Sequence, residues 1–130
     1  MIYSLLVLAA PVSGHTSLTA ARFAGAAVAR GHQLKRVFFL DNGALTGLAS
    51  AVTPQDENSA LAQWQQLGAS HNVELIVCIS SALKRGVLDA TEAERYERDA
   101  ITLHPAFELG GLGLLVDAMQ CSDRLITFGQ

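Results

Sequence analysis

Ile2-Tyr-Ser-Leu-Leu-Val-Leu-Ala9, then Pro11-Val-Ser-Gly-His-Thr-Ser17, an apolar-periodic stretch to Ala29 and finally Val37-Phe-Phe-Leu40 are the residues that decide the fold. The first run is continuously apolar, the pattern of a strand covered on both faces. The loop after it is rich in turn and capping residues, and Ser17 stands where it can cap a helix running to about Ala29. On that helix Leu18, Ala21, Phe23, Ala24 and Val28 recur at near-helical spacing, and Gly31 ends it. A strand, a helix and a second apolar strand in this order make a crossover unit with parallel strands.

The same alternation runs on toward the C-terminus. Asp41-Asn-Gly43 supplies turn chemistry after the second strand, and residues 44–55 read as a surface loop. Asp56 is the expected cap of a second helix to about His71, with Leu61, Trp64 and Leu67 on its inner face. Val73–Ile79 reads as a third strand carrying Cys78 near its end. Ser80 and Ser81 can cap a short helical turn stopped by Gly86. Thr91 and Glu94 fit a capping box for a helix to about Arg98, and residues 99–105 look irregular. Phe107–Cys121 reads as one long helix, and Leu125–Phe128 as a fourth and last strand. The expected fold is α/β: one domain over residues 1–130, a flavodoxin-like three-layer sandwich with a mainly parallel sheet and helices on both faces.

Composition bounds the function. Half of the 130 residues are hydrophobic and 16% are charged, which predicts a substantial core and excludes a charge-solvated disordered chain. A net charge of -3 leaves no general basic face, so direct nucleic-acid binding is not expected. The apolar run at the N-terminus has no preceding Lys or Arg, the first basic residue being Arg22, and it is too short to span a bilayer. With two cysteines and no signal pattern, a cytoplasmic protein with reduced thiols and no membrane contact is expected.

In open parallel sheets, reactive groups collect beyond the C-terminal ends of the strands, and Cys78 falls there. Unpaired N–H groups of a helical turn begun by Ser80 and Ser81 would favour a thiolate, and Lys84 and Arg85 could add positive potential. The bland alternative is a packing thiol in an apolar strand, since free cysteine is among the most buried residue types. Lys84 and Arg85 could equally be a solvated basic turn. Cys121, late in an amphipathic helix, reads as structural. Gly110, Gly111 and Gly113 lack a preceding strand and a third fingerprint glycine, residue 116 being Val. Close packing of the last helix on the sheet explains them better than a phosphate cradle. His15, His32, His71 and His104 show no metal-ligand spacing, although His15 could approach the end of the first strand. No Gly-x-Ser-x-Gly elbow supports a serine hydrolase.

The stretch Cys78-Ile-Ser-Ser-Ala-Leu-Lys-Arg-Gly-Val87 resembles the DsrE/TusD group, in which a cysteine is followed by small residues, a basic pair and Gly-Val. The resemblance extends over nearly the whole chain through Ala24 to His32, Val37-Phe-Phe39, Leu45-Thr-Gly-Leu, Pro54-Gln-Asp56, Trp64 with Leu67, and Asp89 with Glu92-Ala93. It continues through Gly111-Leu-Gly113, Asp123-Arg124 and Phe128-Gly129. It departs at Val12 and Ser13, where relatives often carry an aromatic, and at Gly110, where they have Ser. The group comprises the TusD subunit of the tRNA 2-thiouridine sulfur relay and its sulfur-oxidation relative DsrE. The resemblance implies a sulfurtransferase that carries sulfur as a persulfide on Cys78, without a metal or organic cofactor. It also implies a heterohexamer with two related small subunits, an upstream persulfide donor, and a small downstream carrier with a C-terminal cysteine. The rival readings are a non-catalytic structural subunit of such a complex and a nucleotide-binding module using the sheet's switch point.

Overall fold

The computed structural model describes residues 1–130. Five parallel strands form its centre: β1 (Ile2–Val7), β2 (Gln33–Phe39), β3 (Glu74–Cys78), β4 (Glu108–Gly110) and β5 (Arg124–Phe128), in the order β4-β3-β2-β1-β5. The helices are α1 (Thr16–Ala29), α2 (Ala60–His71), α3 (Ile79–Lys84), α4 (Ala90–Arg95) and α5 (Leu112–Cys121). The three-layer α/β class is as expected. The strand order differs from the 2-1-3-4-5 of flavodoxin itself.

This order decides which helix covers which face. From β1 to β4 each step moves the same way across the sheet, so right-handed crossovers stack their helices on one side. The return from β4 to β5 runs the other way, past β1, and puts α5 on the opposite face. Side-chain alternation agrees. Leu5, Val7, Val37, Phe39, Leu75 and Val77 join α1 and α2 residues, Trp64 among them, in the main core. Their neighbours Phe38, Ile76 and Cys78 form a second cluster with Leu6, Leu40, Leu114 and Leu115, beneath α5.

A bulge in β2 makes room for a buried cation on the α5 side. Tyr3 pairs with Leu34 and Ser4 with Arg36, leaving Lys35 as the extra residue. Leu34 and Val37 therefore both point into the main core, while Arg36 turns toward α5. Its guanidinium donates to Glu74 Oε2 at 2.7 Å, to Asp117 Oδ2 at 2.9 Å and to the Leu114 carbonyl at 2.8 Å. A 6% exposed guanidinium is tolerable only with such partners, and these tie α5 to β2 and β3. Gly110 lets the helix come close, since a Cβ there would lie 2.5 Å from Leu114 Cδ1 and 2.8 Å from Ile76 Cγ2.

Several boundaries correct the sequence reading. Residues 108–110 form a fifth strand where one helix from Phe107 is expected, and α5 begins only at Leu112. β1 ends at Val7, β2 starts at Gln33, and β5 starts at Arg124. Ser17 does not cap α1, which follows His15; the Ser17 hydroxyl instead accepts the buried Trp64 Nε1–H at 3.3 Å. Ser59, not Asp56, caps α2 by accepting from Ala62 N at 3.1 Å. Asp89, not Thr91, caps α4 by accepting from Glu92 N at 2.8 Å. Residues 41–47 are a 3-10 helix whose Gly43, Ala44, Thr46 and Gly47 are buried rather than part of a surface loop. No helix of the structure is long and apolar enough to cross a membrane.

The 3-10 helix sits directly on the end of β1. A Cβ on Gly43 would stand 2.2 Å from the Val7 carbonyl oxygen, a backbone atom with nowhere to go. Gly43→Ala is expected to destabilise the fold by at least about 2 kcal/mol, the order of an overpacked core. Thermal unfolding should show a fall in Tm of roughly 6 °C or more; an unchanged Tm would mean that this seat is not rigid.

Candidate active site

β3 stops at Cys78 because the chain turns there into α3, and Cys78 itself occupies the N-cap position. Ser80 and Ser81 therefore lie in the first helical turn and are not its caps, as the sequence suggested. Their new place brings them closer to the sulfur. The exposed Ser80 hydroxyl is 3.4 Å from Cys78 Sγ, and donates to it once the thiol ionises. Ser81 is 6% exposed, on the protein side of the same helical turn. The amides of both serines face the sulfur at longer range, without closing a cap hydrogen bond.

Cys78 is 2% exposed, within the apolar cluster of Phe38 and Ile76 beneath α5. Burial raises its thiol pKa, as it must for a group that becomes an anion. The Ser80 hydroxyl, then the Ser81 hydroxyl and the two serine amides, as polar N–H and O–H groups near the sulfur, favour the anion and together outweigh burial. The net direction is down, toward the thiolate, the form that attacks sulfur.

The basic pair does not act on the sulfur in this way. Lys84 is exposed at the end of α3, and neither it nor Arg85 contributes to the lowered pKa. Arg85 is fully engaged elsewhere: Nε and one terminal nitrogen donate to Asn42 Oδ1 at 3.3 and 3.1 Å, and the other donates to the Ser81 carbonyl at 3.1 Å. The Asp41 amide donates to Ser81 Oγ at 3.0 Å. Sequence reasoning missed Asp41 and Asn42 as neighbours of the site. Their turn signature was visible, but nothing local links it to a helix some forty residues on.

The remaining candidates fall away from this sulfur. Cys121 is exposed near the C-terminal end of α5, with Sγ 3.6 Å from Asp117 Oδ1, and is not the packed thiol its pattern suggests. His15 lines a groove of about 730 Å³ with Arg22, Asp56 and Glu57, between the starts of α1 and α2, and Cys78 is not among the lining residues. Gly110 pairs with Cys78 across β3 and β4 and serves close packing as expected, but a Cβ on Gly111 or Gly113 would meet nothing within 4 Å, so close packing does not explain those two.

Comparison with known proteins bears on the chain as a whole. The DsrE/DsrF-like family matches residues 1–128. A sulfurtransferase TusD homolog from Pseudomonas aeruginosa is 46% identical over 85% of this chain and 84% of its own. The sulfurtransferase TusD of Serratia proteamaculans is 40% identical over 98% of this chain and its entire length. DsrE from Allochromatium vinosum is 36% identical over 99% of both chains. The crystal structure of the YchN protein from Escherichia coli shares the fold with a TM-score of 0.79, at 22% identity, over 98% of this chain and all of that one. A cysteine with a serine hydroxyl 3.4 Å from its sulfur, at the end of a parallel strand, thus sits in a chain that belongs to the DsrE/DsrF-like family, as a sulfurtransferase.

Proposed function

We propose that the protein is a cytoplasmic persulfide carrier, loaded and unloaded at Cys78, that serves tRNA 2-thiouridine synthesis. The observation that carries this reading is a free cysteine at the C-terminal end of a parallel strand, with the Ser80 hydroxyl 3.4 Å from its sulfur, in a chain whose relatives are sulfurtransferases. The Cys78 thiolate attacks the terminal sulfur of a donor persulfide. A Cys78 Sγ–S bond forms, the donor's S–S bond breaks, and the donor leaves as a thiolate. An acceptor cysteine thiolate then attacks the outer sulfur and Cys78 departs as a thiolate again. Neither step has a net oxidation, so no metal or organic cofactor enters. A lowered thiol pKa serves both, raising the thiolate fraction in loading and making Cys78 a better leaving group in unloading.

Two features support the partners. The sulfur lies one side chain below the surface, beside the exposed Ser80, so an acceptor has to reach inward. A mobile C-terminal cysteine on a small carrier protein suits that geometry better than a cysteine on a flat surface. α5 is apolar on its outer side too, with Leu112, Val116 and Met119 about half exposed and no charged residue between them on that stripe. An exposed apolar stripe on a helix is normally covered, and two related small subunits in a heterohexamer would cover this one. The likeness to DsrE over 99% of both chains favours a second reading, a DsrE-like subunit in sulfur oxidation with the same thiol chemistry.

Intact mass after incubation with a sulfane-sulfur donor tests the carrier. Wild type should gain one sulfur that reductant removes, and Cys78→Ser should gain none at that position. No gain on wild type even with partner subunits present would favour a structural subunit. Deleting the gene in its host should deplete 2-thiouridine in tRNA, with restoration by wild type but not by Cys78→Ser; undiminished 2-thiouridine would favour sulfur oxidation. Val116→Glu should leave sulfur loading intact but release the chain from the co-expressed related subunits on gel filtration. A complex of unchanged mass would place the subunit contact elsewhere.

A further inference from the structure

β5 is an edge strand of the sheet, paired with β1 on one side and with no strand beyond it. Successive residues of a strand turn their backbone N–H and C=O groups alternately to its two sides. The Phe128 carbonyl accepts from the Leu8 amide at 2.9 Å, so Phe128, Ile126 and Arg124 face β1. Leu125 and Thr127 therefore turn their donors and acceptors outward, and no turn, loop or cap of the chain takes them up.

Natural proteins guard such an edge by shortness, Pro, Lys, a bulge or a covering loop. The opposite edge, β4, is guarded by length, with three residues that begin at the exposed Glu108. β5 has five, Arg124-Leu-Ile-Thr-Phe128, without Pro or Lys, and its register against β1 runs without a bulge. These are mostly residue types that favour strands. The strand's apolar side chains are also incompletely covered. Ile126 and Phe128 pack on the main core, yet they and Leu125 remain only partly buried. The chain thus leaves open one regular, largely apolar edge with unused hydrogen-bonding groups.

We propose that this edge joins two copies of the chain, with the β5 strands antiparallel about a two-fold axis at Ile126. The outward groups sit one residue to either side of that axis, so the strand is its own complement. Leu125 of each copy exchanges two hydrogen bonds with Thr127 of the other, four in all. Ile126 meets its own counterpart and Arg124 meets Phe128, so no like charges are opposed. The axis stands perpendicular to the sheet, and both copies therefore carry α5 on the same face. Their exposed stripes of Leu112, Val116 and Met119 look the same way. A heterohexamer that holds each chain twice would cover both stripes from one side. The contact stands apart from the chemistry of Cys78.

The test joins sedimentation velocity of the full chain under reductant to cysteine trapping in a Cys78→Ser/Cys121→Ser background. Wild type should pass from monomer to dimer as its concentration rises. Thr127→Pro removes an outward N–H that the single chain does not use, a loss that edge strands tolerate. It should weaken dimerisation by about tenfold or more, since two of the four bonds go. Ile126→Cys should give a disulfide-linked dimer with oxidised glutathione, because residues opposed at such an axis have Cα atoms about 4.5 Å apart. Thr127→Cys lies diagonal to its counterpart, out of disulfide reach, and should run as a monomer on a non-reducing gel. A wild type that is monomeric throughout overturns the proposal, as does a dimer that Thr127→Pro leaves at full strength. If Thr127→Pro does not fold, trapping decides: linkage at residue 127 instead of 126, or at neither, defeats the two-fold pairing.

Discussion

The handedness of one connection governs most of what is distinctive here. Because β5 lies on the far side of β1 from the other strands, the crossover from β4 runs against the direction of its predecessors. Right-handedness then leaves α5 alone on one face of a five-stranded sheet, with the other helices opposite. Strand alternation assigns Cys78 to the α5 face and its neighbour Val77 to the main core. The sulfur therefore lies under a single ten-residue helix and beside the loops that close the sheet's C-terminal edge. A one-residue change of register in β3 would bury it beneath α1 and α2 instead.

A lone helix on a wide face needs something to set its position, and Arg36 does so. Taking a guanidinium out of water is costly, and its pairing with Glu74, Asp117 and the Leu114 carbonyl offsets that cost without promising a large net gain. What the arrangement adds is direction. Three acceptors on two different elements admit one orientation of α5 over β2 and β3. The same contact holds the Asp117 carboxyl below its usual range, so the anchor persists well into mildly acidic solution. The β2 bulge at Lys35 is the backbone feature that makes it possible, since without it Arg36 and Leu34 would share a face.

Local pattern made the class of fold legible, and its failures have physical causes. Long apolar runs such as Ile2–Val7 and Leu75–Cys78 announce buried parallel strands whatever their surroundings. Glu108-Leu-Gly110 announces nothing, because a three-residue edge strand is defined by pairing with a strand thirty residues earlier. Gln33 to Arg36 hid the first half of β2, since the bulge breaks alternation and the buried cation looks like a surface residue. Ser17 resembled a helix cap, and its hydroxyl was claimed by Trp64 from another helix. The place of Cys78 at the end of a strand was legible from the apolar run before it. Asp41 and Asn42 were legible as a turn but not as partners of α3, because their bonds to Ser81 and Arg85 exist only once α3 folds back onto the turn after β2.

The balance at Cys78 suits a carrier better than either extreme would. A thiol governed by burial alone would stay protonated and inert, as structural cysteines do. A thiolate stabilised by a nearby cation would ionise fully but lose nucleophilicity as its pKa fell, since attack and ionisation trade against each other. Here desolvation and neutral hydrogen-bond donors oppose each other, leaving the pKa lowered with no fixed charge beside the sulfur. Such a site can be loaded by one persulfide and emptied by another thiol, because the donors that favour the Cys78 thiolate as nucleophile also receive it as leaving group.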